Sequence, residues 1–152
     1  MKKIVILNGS NSAKKNTAKI VKAFTQGAES VGNEVKEFMI TKMNIHSCLG
    51  CIACFKIRKD NPHICVQVDD MEQIYSAILD ADVIVFASPM YWWGISGQLK
   101  IVVDRLEAVI GHLGIENVHK KSTALLMTNT GGGNHAAETW YSLFKELLGC
   151  RD

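Results

Sequence analysis

The chain has 152 residues, 47% of them hydrophobic, enough for one compact domain with a real core and no second one. Its 17 basic and 15 acidic residues are spread along the sequence and give a formal net charge of only +2, which excludes the basic footprint of a nucleic-acid binder. No apolar run approaches the ~20 residues of a membrane-spanning helix, and Ile4 to Leu7 is too short for a signal-peptide core, so the sequence predicts a cytoplasmic protein without a membrane segment.

In chain order, Ile4 to Leu7 is an all-apolar run closed by Asn8-Gly9-Ser10, the pattern of a strand buried on both faces. From Thr17 the residues Ile20, Val21, Phe24, Ala28 and Val31 recur at helical spacing, with Asn16 placed to cap the helix and Gly32 to stop it. Val35 to Ile40 reads as a shorter strand, and Asp69-Asp70 opens a helix carrying Met71, Ile74, Tyr75 and Ile78 on one face. A cysteine-rich loop at about residues 46–66 lies between them.

Val83 to Ala87 is the strongest strand signal. The Ser88-to-Gly97 loop leads from it into a helix with Leu99, Val102, Val103, Leu106, Val109 and Ile110. Thr123 to Thr128 is again a buried strand, followed by the Thr130-to-Gly133 loop and a helix marked by Trp140, Leu143, Phe144 and Leu147 that ends at Gly149. Four strand-then-helix units without a repeat or linker predict a single doubly wound α/β domain over residues 1–152, its parallel sheet covered by helices on both faces.

Ligands of such sheets lie beyond the carboxyl ends of the strands, so the loops after strands carry the chemistry. The first, from Asn8 to Thr17, brings hydroxyls of Ser10, Ser12 and Thr17 to a helix N-terminus, with Lys14 and Lys15 adding charge. That set suits a phosphate, and equally a capped helix behind a turn. It lacks the glycine patterns of dinucleotide and nucleoside triphosphate sites, so a mononucleotide fits better. The second loop sets Tyr91, Trp92 and Trp93 at a turn, which suits a flat aromatic ligand or a subunit interface. The third, Thr128 to Gly133, removes side chains where a third strand end approaches. Ser12-Ala13-Lys14-Lys15 has S-x-x-K spacing, but no companion motif supports a hydrolase.

Cys48, Cys51 and Cys54 are spaced C-x-x-C-x-x-C, and Cys65 follows after ten residues. Four thiolates are the usual ligands of a [4Fe-4S] cluster, although cysteines that hold no metal explain the same residues. Zinc usually takes paired ligands from two turns and ranks lower. Cys150 reads as a small hydrophobe, and the five histidines share no metal spacing.

Gly9-Ser10-Asn11-Ser12 with Asn16-Thr17, then Ala87-Ser88-Pro89-Met90-Tyr91, Gln98-Leu99-Lys100 and Asp104-Arg105, resembles the flavodoxin-like NAD(P)H-dependent FMN reductase family over nearly the whole chain. The cysteine loop together with Asp69-Asp70-Met71 is similar to the branch that includes the iron-sulfur flavoproteins, whose third and fourth cysteines lie closer together. The resemblance implies an FMN phosphate on Ser10, Ser12, Asn16 and Thr17, and an isoalloxazine against Pro89, Met90, Tyr91, Trp92, Trp93, Gly94, Thr130, Gly131 and Gly132, with Asn11 and Asn129 completing the cofactor set. It sets the cysteine loop near the flavin edge, with Cys48, Cys51, Cys54 and Cys65 as candidate cluster ligands.

It further implies an oxidoreductase passing electrons from NAD(P)H through FMN to a quinone, flavin or other acceptor. The alternative is a flavodoxin-type or iron-sulfur flavoprotein electron carrier that never oxidises NAD(P)H. Relatives of this fold add a fifth strand and a last helix beyond the point corresponding to Asp152. The uncovered sheet edge therefore predicts a homodimer or higher oligomer.

Overall fold

The central strands carry uninterrupted apolar runs, Ile4 to Leu7 and Val83 to Ala87, because both faces of the sheet are covered. In the computed structural model, which describes residues 1–57 and 61–148 apart from the side chains of 143, 144, 147 and 148, β1 (Lys3–Asn8) is buried from its second residue onward and β3 (Val83–Pro89) lies beside it. The mostly exposed β2 (Glu34–Met39) and the half-buried β4 (Ser122–Thr128) are the edges. All pairings are parallel, in the order β2-β1-β3-β4. This is the flavodoxin-like order as far as its fourth strand.

Alternate residues of the sheet feed two cores. On one face Val5, Leu7, Ile84 and Phe86 pack with α2 (Met71–Asp80), α3 (Gly97–Arg105) and α4 (Glu107–Leu113) through Ile74, Ile78, Leu99, Val102 and Val109. Trp140 of α6 (Asn134–Leu148) meets Phe86 edge-on with ring centroids 6.4 Å apart on the same side. On the other face Ile4, Ile6, Val85 and Ala87 meet Val21, Phe24 and Ala28 of α1 (Asn16–Ser30). Among the described residues no helix is long and apolar enough to cross a membrane.

Three local expectations are corrected. Lys15, not Asn16, occupies the N-cap position of α1, which carries no side-chain cap. Its C-terminus behaves as expected: Gly32, at φ +83°, donates its amide to Glu29 O at 2.9 Å, and Asn33 reaches Ala28 O. The single helix expected across Leu99 to Ile110 is two helices, with the short α5 (Ile115–Val118) following. The break has an identifiable cause: the Tyr75 hydroxyl donates to Arg105 O at 3.2 Å, while the Val109 amide that would bond that carbonyl in a continuous helix turns to Leu106 O at 2.9 Å. β2 ends at Met39, and Ile40–Lys42 forms a 3₁₀ turn. The sequence readings on Leu143, Phe144 and Leu147 side chains, Gly149 and Cys150 lie outside the described residues.

Candidate functional site

β1 ends at Asn8 opposite Ala87, and β3 and β4 end together two residues further on at Pro89 and Thr128, so three loops leave the sheet at one edge. In the first, the Asn8 side chain accepts the Ser10 amide at 2.9 Å, the Ser12 amide donates to Ser10 Oγ at 3.2 Å, and Thr41 Oγ1 donates to Ser10 O at 3.1 Å. Gly9 is pressed against the start of α3: Ser96 Oγ donates to Gly9 O at 2.8 Å, and a Cβ at Gly9 would lie 2.4 Å from Ser96 Oγ and 2.6 Å from Leu99 Cβ. The loop then enters α1, whose first turn has neither a side-chain cap nor an acidic residue. Its amides and the positive end of its dipole are left for an anion.

One cavity opens where the loops converge. Ser10, Asn11, Ser12, Lys15, Asn16 and Thr17 form one wall. Pro89, Met90 and Tyr91 form another, and Thr128, Asn129 and Thr130 the third. Thr17 Oγ1 and Thr128 Oγ1 close the floor at 2.8 Å from each other. A neighbouring groove is bordered by Trp92, Trp93 and the glycines Gly131, Gly132 and Gly133; Met90, Asn129 and Thr130 border both hollows.

The aromatic turn is tight. Tyr91 and Gly94 exchange backbone hydrogen bonds at 2.9 and 3.1 Å, and both residues between them have positive φ, +49° at Trp92 and +58° at Trp93. Side chains other than Asn, Asp and Gly rarely adopt this conformation, and two adjacent tryptophans in it store backbone strain. Trp92 is 90% exposed and Trp93 65%, their rings edge to face with centroids 5.2 Å apart.

The cysteine loop runs from the 3₁₀ turn after β2 to α2, and its two feet are fastened together. The Asn44 amide donates to Asp70 Oδ2 at 2.7 Å, the Asp70 amide to Asn44 O at 3.1 Å, and the His46 amide to Asp69 Oδ2 at 2.9 Å. Asp69 also pairs with Arg105, and both side chains are almost wholly buried. Burial pushes the Asp69 carboxyl up, but bonds from the His46 amide, Arg105 and the Met71 amide outweigh it and hold the group below the usual carboxylate range. Cys48 and Cys51 are exposed thiols, while Cys54 and Cys65 are half-buried, and burial pushes the Cys54 thiol up. All four border a single cavity walled by Leu49, Ile52, Phe55 and Ala108. Among the described residues no group of three His, Cys, Asp or Glu side chains is drawn together as a metal-ion site.

Residues 2–151 match the profile of the NADPH-dependent FMN reductase family. The chain belongs to that family. Within it, the chain is 32% identical over 106 residues to an iron-sulfur flavoprotein of Archaeoglobus fulgidus, a match covering 70% of this chain and 46% of that protein. It is 25% identical over 142 residues to an iron-sulfur flavoprotein of Methanocaldococcus jannaschii, covering 93% and 71%. Against another iron-sulfur flavoprotein of the latter organism the match spans only 38% of the relative's length. An NAD(P)H:quinone oxidoreductase from Methanothermobacter marburgensis superposes with a TM-score of 0.67 at 19% identity, over 97% of this chain and 75% of that one, a likeness of fold.

Of the residues expected at a family FMN site, Ser10, Asn11, Ser12, Asn16, Thr17, Pro89, Met90, Tyr91, Asn129 and Thr130 border the first cavity. Trp92, Trp93, Gly131 and Gly132 border the adjoining groove instead. Gly94 borders neither, and its backbone closes the aromatic turn on Tyr91. Thr128 and Gly133 were not singled out as cofactor residues. A polar residue closing an apolar strand was the available signal for Thr128. Gly133 is pressed by Met90, whose Sδ would lie 2.4 Å from a Cβ there.

Proposed function

We propose that this chain is an FMN-dependent oxidoreductase that takes reducing equivalents from NAD(P)H and delivers them to a small acceptor such as a quinone or free flavin. The observation that carries the reading is the cavity shared by three strand ends, with an uncapped helix N-terminus on one side and Tyr91 on another. FMN, when bound, supplies the hydride acceptance and onward electron delivery, chemistry that belongs to the cofactor.

The protein's part is binding and orientation. The α1 amides with Ser10, Ser12, Asn16 and Thr17 suit the phosphate, and Lys15 adds positive charge beside it. Tyr91 and Met90 offer an apolar wall to a planar ring, and the bare backbone of Gly131 and Gly132 leaves room beside the two tryptophans for a second flat molecule. Oxidation of NADPH or NADH by the FMN-loaded chain, with a quinone or ferricyanide as acceptor, tests the reading. Turnover supports the enzyme. Flavin that is reduced by light but by neither nicotinamide sinks it in favour of an electron carrier.

The cysteine cavity favours a second redox group. A single metal ion draws its sulfur ligands to about 2.3 Å, whereas a cubane cluster holds four thiolates around a larger body. The support for the second arrangement is that all four thiols border one cavity and that the relatives carry iron-sulfur names; the described residues themselves draw no three such side chains together as a metal-ion site. Cys48, Cys51, Cys54 and Cys65 would then ligate a [4Fe-4S] cluster. The partly buried edge strand β4 is the surface proposed for pairing with a second copy, which sedimentation of the FMN-loaded chain would detect as a dimer.

A further inference from the structure

Helix α3 carries a functional feature at each end. At its start Ser96 Oγ accepts the Leu99 amide at 3.3 Å and donates to Gly9 O, so the helix is fixed to the first loop of the proposed FMN cavity. At its end stands Arg105, the largest fully buried side chain of the protein's described residues. Nine residues at 1.5 Å each set the two ends about 13 Å apart.

A buried arginine needs a reason, and here its donors are spent on the cysteine loop. Arg105 Nη1 bonds the Asp69 carboxylate and also His46 O at 3.3 Å, holding both feet of the loop with one nitrogen. Nη2 reaches Cys65 Sγ at 3.5 Å, within the range of a weak N–H···S hydrogen bond. The guanidinium lies 5.7 Å from the Tyr75 ring centroid, and Tyr75 in turn bonds the Arg105 carbonyl. The Nε–H has no partner among the described residues and is shut away from solvent, so it is other atoms of Arg105 that border the cavity shared by the four cysteines. From the other side α4 presses on the loop's middle, where a Cβ at Gly111 would stand 3.1 Å from Cys54 O.

We propose that Arg105 is the positioning residue of the cysteine cavity: from α3 it fixes the loop's feet and the Cys65 sulfur, and it offers positive charge and its Nη2–H to an anionic group held by the four thiols. The second half rests on the cluster reading above; the first does not. A cluster ligated by four thiolates gains negative charge on reduction. A cation and donor beside a ligating sulfur therefore stabilise the reduced form and raise the potential.

The test uses the full FMN-loaded chain as wild type, R105K and the double variant R105M/D69N. The double variant removes the charged pair together, so that no buried carboxylate is left unpaired. Each is reconstituted anaerobically with ferrous iron and sulfide, and the iron content and cluster potential are measured with the flavin potential as internal reference. Hydrogen exchange over residues 44–57 and 61–70 is followed separately in the metal-free chains.

R105K keeps a cation against Asp69 but has no second nitrogen for Cys65, so it is expected to keep most of the loop's protection and to show a lower cluster potential than wild type. R105M/D69N is expected to exchange the loop amides about tenfold faster and to lower the cluster potential while the flavin potential stays put. An unchanged cluster potential overturns the electrostatic role, and unchanged loop exchange overturns the positioning role. If wild type takes up no iron, the cluster reading falls and the exchange experiment alone decides the case for Arg105. Loss of protection in the double variant alone upholds it, and equal protection refutes it.

Discussion

The hydroxyls of Thr17 and Thr128 lie 2.8 Å apart, although 111 residues separate them in the chain. The contact joins the first turn of α1 to the end of β4 and so fixes the width of the cavity between the first and third loops. Thr17→Val removes a buried hydroxyl from this junction and leaves the Thr128 side unmatched. FMN affinity is expected to fall about tenfold, the equivalent of roughly 1.4 kcal/mol. The double variant T17V/T128V should lose less than the sum of the two single losses, because the hydroxyls act as a pair. Titration followed by flavin fluorescence measures both.

Gly9→Ala drives a methyl into Ser96 Oγ and Leu99, both held by α3. Such overpacking typically costs about 1–3 kcal/mol, so the denaturation midpoint should fall and FMN affinity with it. Gly27→Ala is the control. That position is within α1 with nothing within 4 Å of an added Cβ, and the same change there should stabilise by about 0.5–1 kcal/mol.

Asp69 makes stability depend on acid. Its carboxyl is held below its unfolded value, so the unfolded chain binds more protons than the folded one as the pH falls past that unfolded value. The contribution is complete above the ordinary carboxylate range and is lost as the pH drops through the lower, folded value. Asp69→Asn strands Arg105 and should cost about 3–5 kcal/mol at neutral pH, with a shallower decline in acid than wild type. Denaturant unfolding at a series of pH values below neutrality gives both slopes.

The Trp92-Trp93 turn holds two large side chains in the left-handed region, at a cost of roughly 1–2 kcal/mol per residue. Replacing the pair with Asn-Gly, the residues such a turn favours, should raise the midpoint of unfolding. The same double variant should retain FMN and oxidise NADPH more slowly, since the groove beside Gly131 and Gly132 loses its aromatic wall. A variant that is both stabler and fully active would remove any functional reason for the strain.

Much of this was legible because β1 and β3 are covered on both faces and so read as uninterrupted apolar runs, each closed by polar or glycine residues. The strand-end loops follow from that frame, and so do Ser10, Thr17, Tyr91 and Thr130. What escaped depends on long-range contacts. The break after Arg105 arises from the Tyr75 hydroxyl, 30 residues earlier, which local periodicity does not register. Arg105 enters the sequence reading only within the Asp104-Arg105 motif, and its burial follows only once Asp69 arrives from the far end of the cysteine loop. Gly94 enters the expected cofactor set only through the family resemblance, and the backbone bonds that tie it to Tyr91 are not visible in the sequence. The spacing of the cysteines announced neighbouring thiols but not the apolar walls or the arginine around them.

Equilibrium titration of FMN into the metal-free chain tests the cavity most directly. Saturable binding, with quenched flavin fluorescence and weaker uptake by T17V, is the predicted result. Absence of saturable binding, or equal uptake by T17V and wild type, would show that the three strand ends do not form the cofactor's seat.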